Sequence, residues 1–138
     1  MILLIDDDIF GMKPYRLALE SAGFEVASAE DPDVALSALR EHAEDLELIV
    51  LDVMMPSGQA LKDEDVEQGL RTGRVLLSRI REEHADCPVI VLSITSVDDF
   101  GVKDVEFLHK ADTLPSELVE IVKETIGKHR GTQVQGGS

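Results

Sequence analysis

A chain of 138 residues is long enough for one domain with a core of its own and needs no disulfide to hold it together. Asp and Glu number 28 against 13 Lys and Arg, and the formal net charge of -15 argues against nucleic acid or an anionic membrane as a partner of this domain. A single cysteine, Cys87, rules out an intrachain disulfide and suits a reducing compartment. No apolar run approaches the length of a membrane span, and Met1 leads straight into an apolar stretch with no basic leader, so a cytoplasmic location is expected.

The first apolar run, Ile2–Ile5, reads as a strand covered on both faces. Helical spacing follows over Pro14–Ala22, where Tyr15, Ala18, Leu19 and Ala22 share a face and Gly23 offers a stop. Phe24–Ala29 alternates weakly, as a strand. Pro32–Ala43 returns to helical spacing through Val34, Ala35, Ala38 and Leu39, with Asp31 placed as N-cap and Pro32 at the first helical position. A second near-continuous run, Leu46–Leu51, is another buried strand. The acidic stretch Ser57–Thr72 exceeds the roughly 2–6 residues usual between a strand and its helix. A helix over Arg74–Glu83 uses Leu76, Leu77 and Ile80; strands follow at Pro88–Ile94 and Val105–Leu108. The interval Thr95–Asp104 between them is too short for a full helix and two turns. The last helix, Pro115–Ile126, carries Leu118, Val119, Val122 and Ile126, with Lys128, His129 and Arg130 complementing its dipole. The domain is expected over 1–127, with a disordered tail over 128–138 that contains the Gly-, Gln- and Ser-rich end.

Strands alternating with helices predict an open parallel sheet with helices on both faces, and such sheets place their sites beyond the carboxyl ends of the strands. The residues at those ends are Asp6, Asp7 and Asp8 after the first strand, Asp52 after the third, Ser93 after the fourth and Lys110 after the fifth. Carboxylates converging in one pocket repel unless a cation compensates, and a hard ion such as Mg²⁺ takes oxygen ligands of this kind. A carboxylate is also a competent nucleophile toward phosphorus. Each residue taken singly has a plainer role. The Asp6–Asp8 run also fits a strand-ending turn that caps a helix, Ser93 a cap, Lys110 a solvated lysine and Phe107 simple core. The histidines at 42, 84, 109 and 129 show no ligand spacing.

Four segments together, Ile2–Asp8, Leu48–Pro56, Pro88–Ser93 and Phe107–Lys110, resemble the signature blocks of response-regulator receiver domains, in the same order. The resemblance covers about Met1–Gly127. It implies a flavodoxin-like, doubly wound five-stranded parallel sheet in the order 2-1-3-4-5, here with a long loop after the third strand and a shortened or missing fourth helix. It implies that Asp52 is the phosphoacceptor and that Asp6, Asp7, Asp52 and the backbone carbonyl of Met54 hold Mg²⁺. Ser93 and Lys110 would contact the phosphoryl group, with Ser93 and Phe107 as the moving switch pair. The expected function is two-component signalling rather than enzyme catalysis. The phosphoryl donor would be a histidine kinase or phosphotransfer protein, acting on a receiver that reads out through a downstream protein; dimerisation on phosphorylation is left open. No DNA-binding or enzymatic output segment is visible.

Departures from the family pattern matter. The lysine is followed by Ala111 where the family usually has Pro, so the turn that aims Lys110 is expected to differ. Ile94 stands where a small residue is usual and narrows access to Asp52. Met54 and Thr95 occupy positions that tune phosphoryl lifetime, and Met54 cannot orient an attacking water by hydrogen bonding, so slow self-dephosphorylation is expected. The Ser57–Thr72 stretch is either a solvated acidic loop or a lid or partner-specific contact beside the site. Its Asp63, Glu64, Asp65 and Glu67 lack calcium-loop spacing. The alternative function is a degenerate receiver that serves as an interaction module without phosphorylation. A haloacid-dehalogenase-type phosphohydrolase is disfavoured, because Ile9-Phe10 follows Asp8 where that family's motif requires other residues.

Overall fold

A computed structural model describes residues 1–6, 9–30, 32–53, 76–84, 86–93, 105–109 and 112–136. Five strands run parallel: β1 (Ile2–Ile5), β2 (Val26–Ala29), β3 (Leu48–Val53), β4 (Val89–Ser93) and β5 (Val105–His109). Their order is β2-β1-β3-β4-β5, as expected. Four helices accompany them among the described residues: α1 (Ile9–Ser21), α2 (Pro32–Glu41), α3 (76–83) and α4 (Pro115–Gly136).

Strict alternation along the strands builds two cores. Ile2, Leu4, Leu48, Val50, Ile90 and Leu92 pack with Met12, Tyr15 and Leu19 of α1 and with Leu118, Val119, Val122 and Ile126 of α4. Leu3, Ile5, Ile49, Leu51, Val89 and Val91 pack with Ala35 and Leu39 of α2 and with Leu76, Leu77 and Ile80 of α3. This explains why β1, β3 and β4 read as continuous apolar runs, since each successive residue enters one core or the other.

Helix ends follow local chemistry. Gly23 has φ 98°, a left-handed conformation that costs other residues a clash at Cβ. The Gly23 N–H donates to Glu20 O at 3.0 Å and the Phe24 N–H to Leu19 O at 3.1 Å, and Phe24 packs in the same cluster as Leu19. This paired closure with its apolar contact ends α1 where the sequence places a stop. At α4, Pro115 occupies the first helical position, and the Glu117 carboxylate reaches back to accept from the Leu114 N–H at 3.2 Å, half of a capping box.

Two helices differ from expectation. α1 begins at Ile9, not Pro14, and Pro14 lies inside it. Pro14 has no N–H to offer the Phe10 carbonyl four residues back, so that bond of the helical ladder is not made, and the packing of Met12, Tyr15 and Leu19 holds the helix together across it. α4 runs as helix to Gly136, into the stretch 128–138 expected as a disordered tail. Its first half is nucleated by packing, no proline follows, and each added residue gains a hydrogen bond without a new nucleation cost. The Ser57–Thr72 stretch and the shortened fourth-helix interval, Thr95–Asp104, lie outside the described residues.

Candidate functional site

The carboxyl edge of the sheet is fixed by strand register. Ile5 of β1 pairs with Leu51 of β3, so the next step along the two adjacent strands is Asp6 on one and Asp52 on the other. Asp52 pairs with Leu92 and Val53 with Ser93. Ser93 in turn pairs with His109, one residue before Lys110. The backbone thus brings Asp6, Asp52, Ser93 and His109, the residue before Lys110, to the same edge, on adjacent strands β1, β3, β4 and β5.

Among the strand-end acids, Ser93 and Lys110, Asp6 is the residue whose side chain is described. It is 5% exposed, one of two buried polar or charged residues among those described. Its backbone N–H donates to Ala29 O at 2.9 Å, which extends the β1–β2 ladder one residue past the strand and holds Asp6 in line. Asp6 also lines a groove of about 420 Å³ along α1, whose walls include Phe10, Met12, Lys13, Arg16 and Leu17. Phe10 is 88% exposed.

A buried carboxylate demands compensation, and its oxygens suit a hard divalent cation better than a soft one. The donor set that the family resemblance implies, Asp6, Asp7, Asp52 and the Met54 carbonyl, is all oxygen and would fit Mg²⁺ in kind. Among the described residues no three His, Cys, Asp or Glu side chains gather as a metal centre. Asp7, Met54, Ile94, Thr95, Lys110 and Ala111 lie outside the described residues, as do Asp31 and the calcium-loop candidates Asp63, Glu64, Asp65 and Glu67.

Phe107 pairs with Val91 and packs, half-buried, against the core beneath α2 and α3. His109 is half-buried, with Nδ1 3.9 Å from Asp112 Oδ2. Cys87 plays no part at this edge, because it precedes β4 at the opposite end of the sheet. Burial pushes its thiol up from 9.0 to about 11, with Arg81 offsetting part of the shift, so it stays protonated near neutrality. The Arg81 guanidinium donates to the Cys87 carbonyl, consistent with the structural role expected of this segment.

One contact at this edge was not foreseen. The Tyr15 hydroxyl donates to Thr113 O at 2.7 Å, a buried bond between residues 98 apart in sequence, and Thr113 Oγ1 donates to His109 O at 2.9 Å. The available signal was a tyrosine in an otherwise aliphatic helix face, since a buried phenol needs a partner.

Comparison with known proteins agrees with this geometry. The response regulator receiver domain family matches residues 2–110. The transcriptional regulatory protein PrrA of Mycobacterium tuberculosis, like that of Mycobacterium bovis, is 32% identical over 142 residues, covering 99% of this chain. The chain spans about half, 54%, of the length of these relatives. Among solved structures, a response regulator receiver domain protein from Clostridium thermocellum superposes with a TM-score of 0.70 at 20% identity, covering 94% of this chain and 95% of that one. The receiver domain of NtrX from Brucella abortus gives 0.68 at 22%, covering 92% and 98%. These structural likenesses speak for the fold, and the sequence matches speak for descent: the chain belongs to the response regulator receiver domain family.

Proposed function

We propose that this receiver domain is a working phosphoacceptor, with Asp52 as the residue modified. The observation that carries the reading is the register of β1 and β3, which sets the buried Asp6 and Asp52 side by side at the carboxyl edge. An Asp52 carboxylate oxygen would attack the phosphorus of a phosphohistidine as the donor nitrogen leaves. The transition state is loose, so the protein contributes position and charge rather than covalent chemistry. Asp6, Asp7, Asp52 and the Met54 carbonyl would hold Mg²⁺. When bound, that ion supplies neutralising charge for the phosphoryl oxygens. Ser93 would donate a hydrogen bond to the group and Lys110 a positive charge.

Phosphorylation would shift a two-state equilibrium by favouring the form in which Ser93 and Phe107 face the added group. Phe107 has room for this, being half-buried on a strand less covered than its neighbours. The donor is a histidine kinase or phosphotransfer protein, and the readout is through a downstream protein. As a receiver, the chain is a signalling module and not a classical enzyme. No described helix is long and apolar enough to cross a membrane, and a cytoplasmic setting is proposed.

Ala111 and Ile94 favour a second reading, a receiver that binds its partner without phosphorylation. One experiment separates the two. Beryllofluoride is titrated with and without Mg²⁺, followed by fluorine and amide NMR, with Asp52→Asn as control. Mg²⁺-dependent binding lost in the variant is the expected result. A folded wild type that takes no beryllofluoride overturns it in favour of the interaction module.

A further inference from the structure

We propose that the groove along α1 binds a small organic cation, a primary ammonium on an apolar body, and that this ligand and Mg²⁺ exclude one another at Asp6. The exclusion rests on the reading of Asp6 as a Mg²⁺ ligand; the groove site stands without it. The groove holds about 420 Å³, within the roughly 300–1,000 Å³ usual for small-molecule sites. Its lining runs from Asp6, just before α1, past Phe10 to Glu20 near the end of the helix. At about 1.5 Å of rise per residue, the stretch from Phe10 to Glu20 covers about 15 Å.

The two ends differ in charge. At one end the Asp6 carboxylate belongs to a residue only 5% exposed, and a carboxylate so sheltered attracts a cation more strongly than one in water, because the local dielectric is low. At the other end the charges are already matched. Arg16 Nε donates to Glu20 Oε1 at 2.8 Å and Arg16 Nη1 to Ser28 Oγ at 3.0 Å. Lys13 is exposed, where water and salt screen it. The sheltered charge of the groove is therefore negative and sits at the Asp6 end. Between the ends the lining is apolar. Leu4 and Met12 are buried, whereas Phe10 and Leu17 are exposed large apolar residues two helical turns apart on one face of α1. A ring as open as that of Phe10 serves the core little and is available to a ligand. An aromatic ring lining the same groove as a carboxylate suits an ammonium on an apolar body, through the charge pair and through the face of the ring. The net charge of -15 draws small cations toward the chain as a whole.

The test titrates phenethylammonium into the full chain and follows the backbone amides by NMR, with the near-isosteric neutral 2-phenylethanol as control. Saturable shifts are expected at Asp6, Phe10, Met12 and Leu17. The ammonium is expected to bind about tenfold more tightly than the alcohol, the scale of one sheltered charge-assisted hydrogen bond. Asp6→Asn keeps the shape and removes the charge, and is expected to erase that difference while leaving the alcohol's affinity unchanged. Phe10→Ala, at a residue the core does not use, is expected to weaken the ammonium about fivefold and the alcohol less. Mg²⁺ at about ten times its own Kd is expected to raise the apparent Kd of the ammonium about tenfold.

No saturable shift, an alcohol that binds as tightly as the ammonium, shifts confined to other parts of the chain, or full ammonium affinity in Asp6→Asn overturns the site. Simultaneous binding of the ammonium and Mg²⁺ overturns the exclusion. Beryllofluoride separates this proposal from the phosphoacceptor reading. A chain that takes the ammonium and no beryllofluoride keeps the groove site and loses the phosphoacceptor, and a chain that takes beryllofluoride alone does the reverse.

Discussion

The centre of the sheet and its β5 edge are built differently. Every residue of β1 is buried, as are Leu48–Leu51 of β3 and Val89–Leu92 of β4. In β5 no residue is fully buried: Glu106 is exposed and the other four are half-covered. Among the described strands β5 hydrogen-bonds to β4 alone, and past its end the Thr113 hydroxyl donates to His109 O and the Tyr15 hydroxyl to Thr113 O. The difference teaches how such a site divides its labour. Asp6 and Asp52 stand on strands clamped by two apolar layers and cannot wander. Phe107 stands on an edge where packing is thinner, which suits a residue proposed to move on phosphorylation.

The contrast predicts a graded series. Ile90→Ala, at the centre, is expected to cost about 3 kcal/mol, because a fully buried side chain leaves a cavity that a two-sided core cannot collapse. The urea midpoint with an unchanged slope reads it, and a loss under 1 kcal/mol would mean that the centre is not tightly packed. Asp6→Asn is expected to weaken Mg²⁺-dependent beryllofluoride binding about a hundredfold without destabilising the apo fold, since it removes a charged ligand and keeps the shape. Retained affinity would move the metal site away from β1.

Cys87 offers a pH handle at the opposite end of β4. The folded chain holds its thiol proton up to about 11, against 9.0 ordinarily. Its contribution is complete below pH 9 and is lost as pH rises through the window to about 11, on the order of 2 kcal/mol. Cys87→Ala should flatten that part of the stability–pH curve. Phe107→Ala, at the edge, should cost about 1–2 kcal/mol, less than the central substitution, because the ring is only half-buried. Equal losses at Ile90 and Phe107 would erase the distinction between centre and edge. The smallest effect is expected at the surface: Arg40→Ala breaks the 3.2 Å pair with Glu83 that joins α2 to α3, for under about 0.5 kcal/mol, and thermal melts at low and high salt would bound it.

Much of this architecture was legible in the chain. Runs such as Ile2–Ile5 and Leu48–Leu51 announce strands because a strand covered on both faces has no polar side to interrupt it. Their alternation with helical stretches dictates parallel pairing, and parallel pairing puts Asp6, Asp52 and Ser93 at one edge. Gly23 marks the end of α1 through backbone freedom that no neighbour needs to supply. The two helix ends that the sequence misplaces are those set by context. Pro14 looks like a beginning, yet α1 starts at Ile9, and the polar 128–136 stretch looks like a tail, yet helix continues through it. Local propensity is worth fractions of a kcal/mol per residue, and an adjoining packed helix outweighs it.

The sequence by itself therefore determined the strands, their parallel sense, and which acidic, hydroxyl and basic residues follow them, because periodicity and turn chemistry are local properties; the order 2-1-3-4-5 was implied by the family resemblance. Only the tertiary structure decided that Tyr15 meets Thr113 across 98 residues and that Asp6 is buried beside the β3 terminus. No spacing encodes such contacts: they exist only once two helices and a sheet have packed, and the partner a buried polar group needs is chosen by that packing.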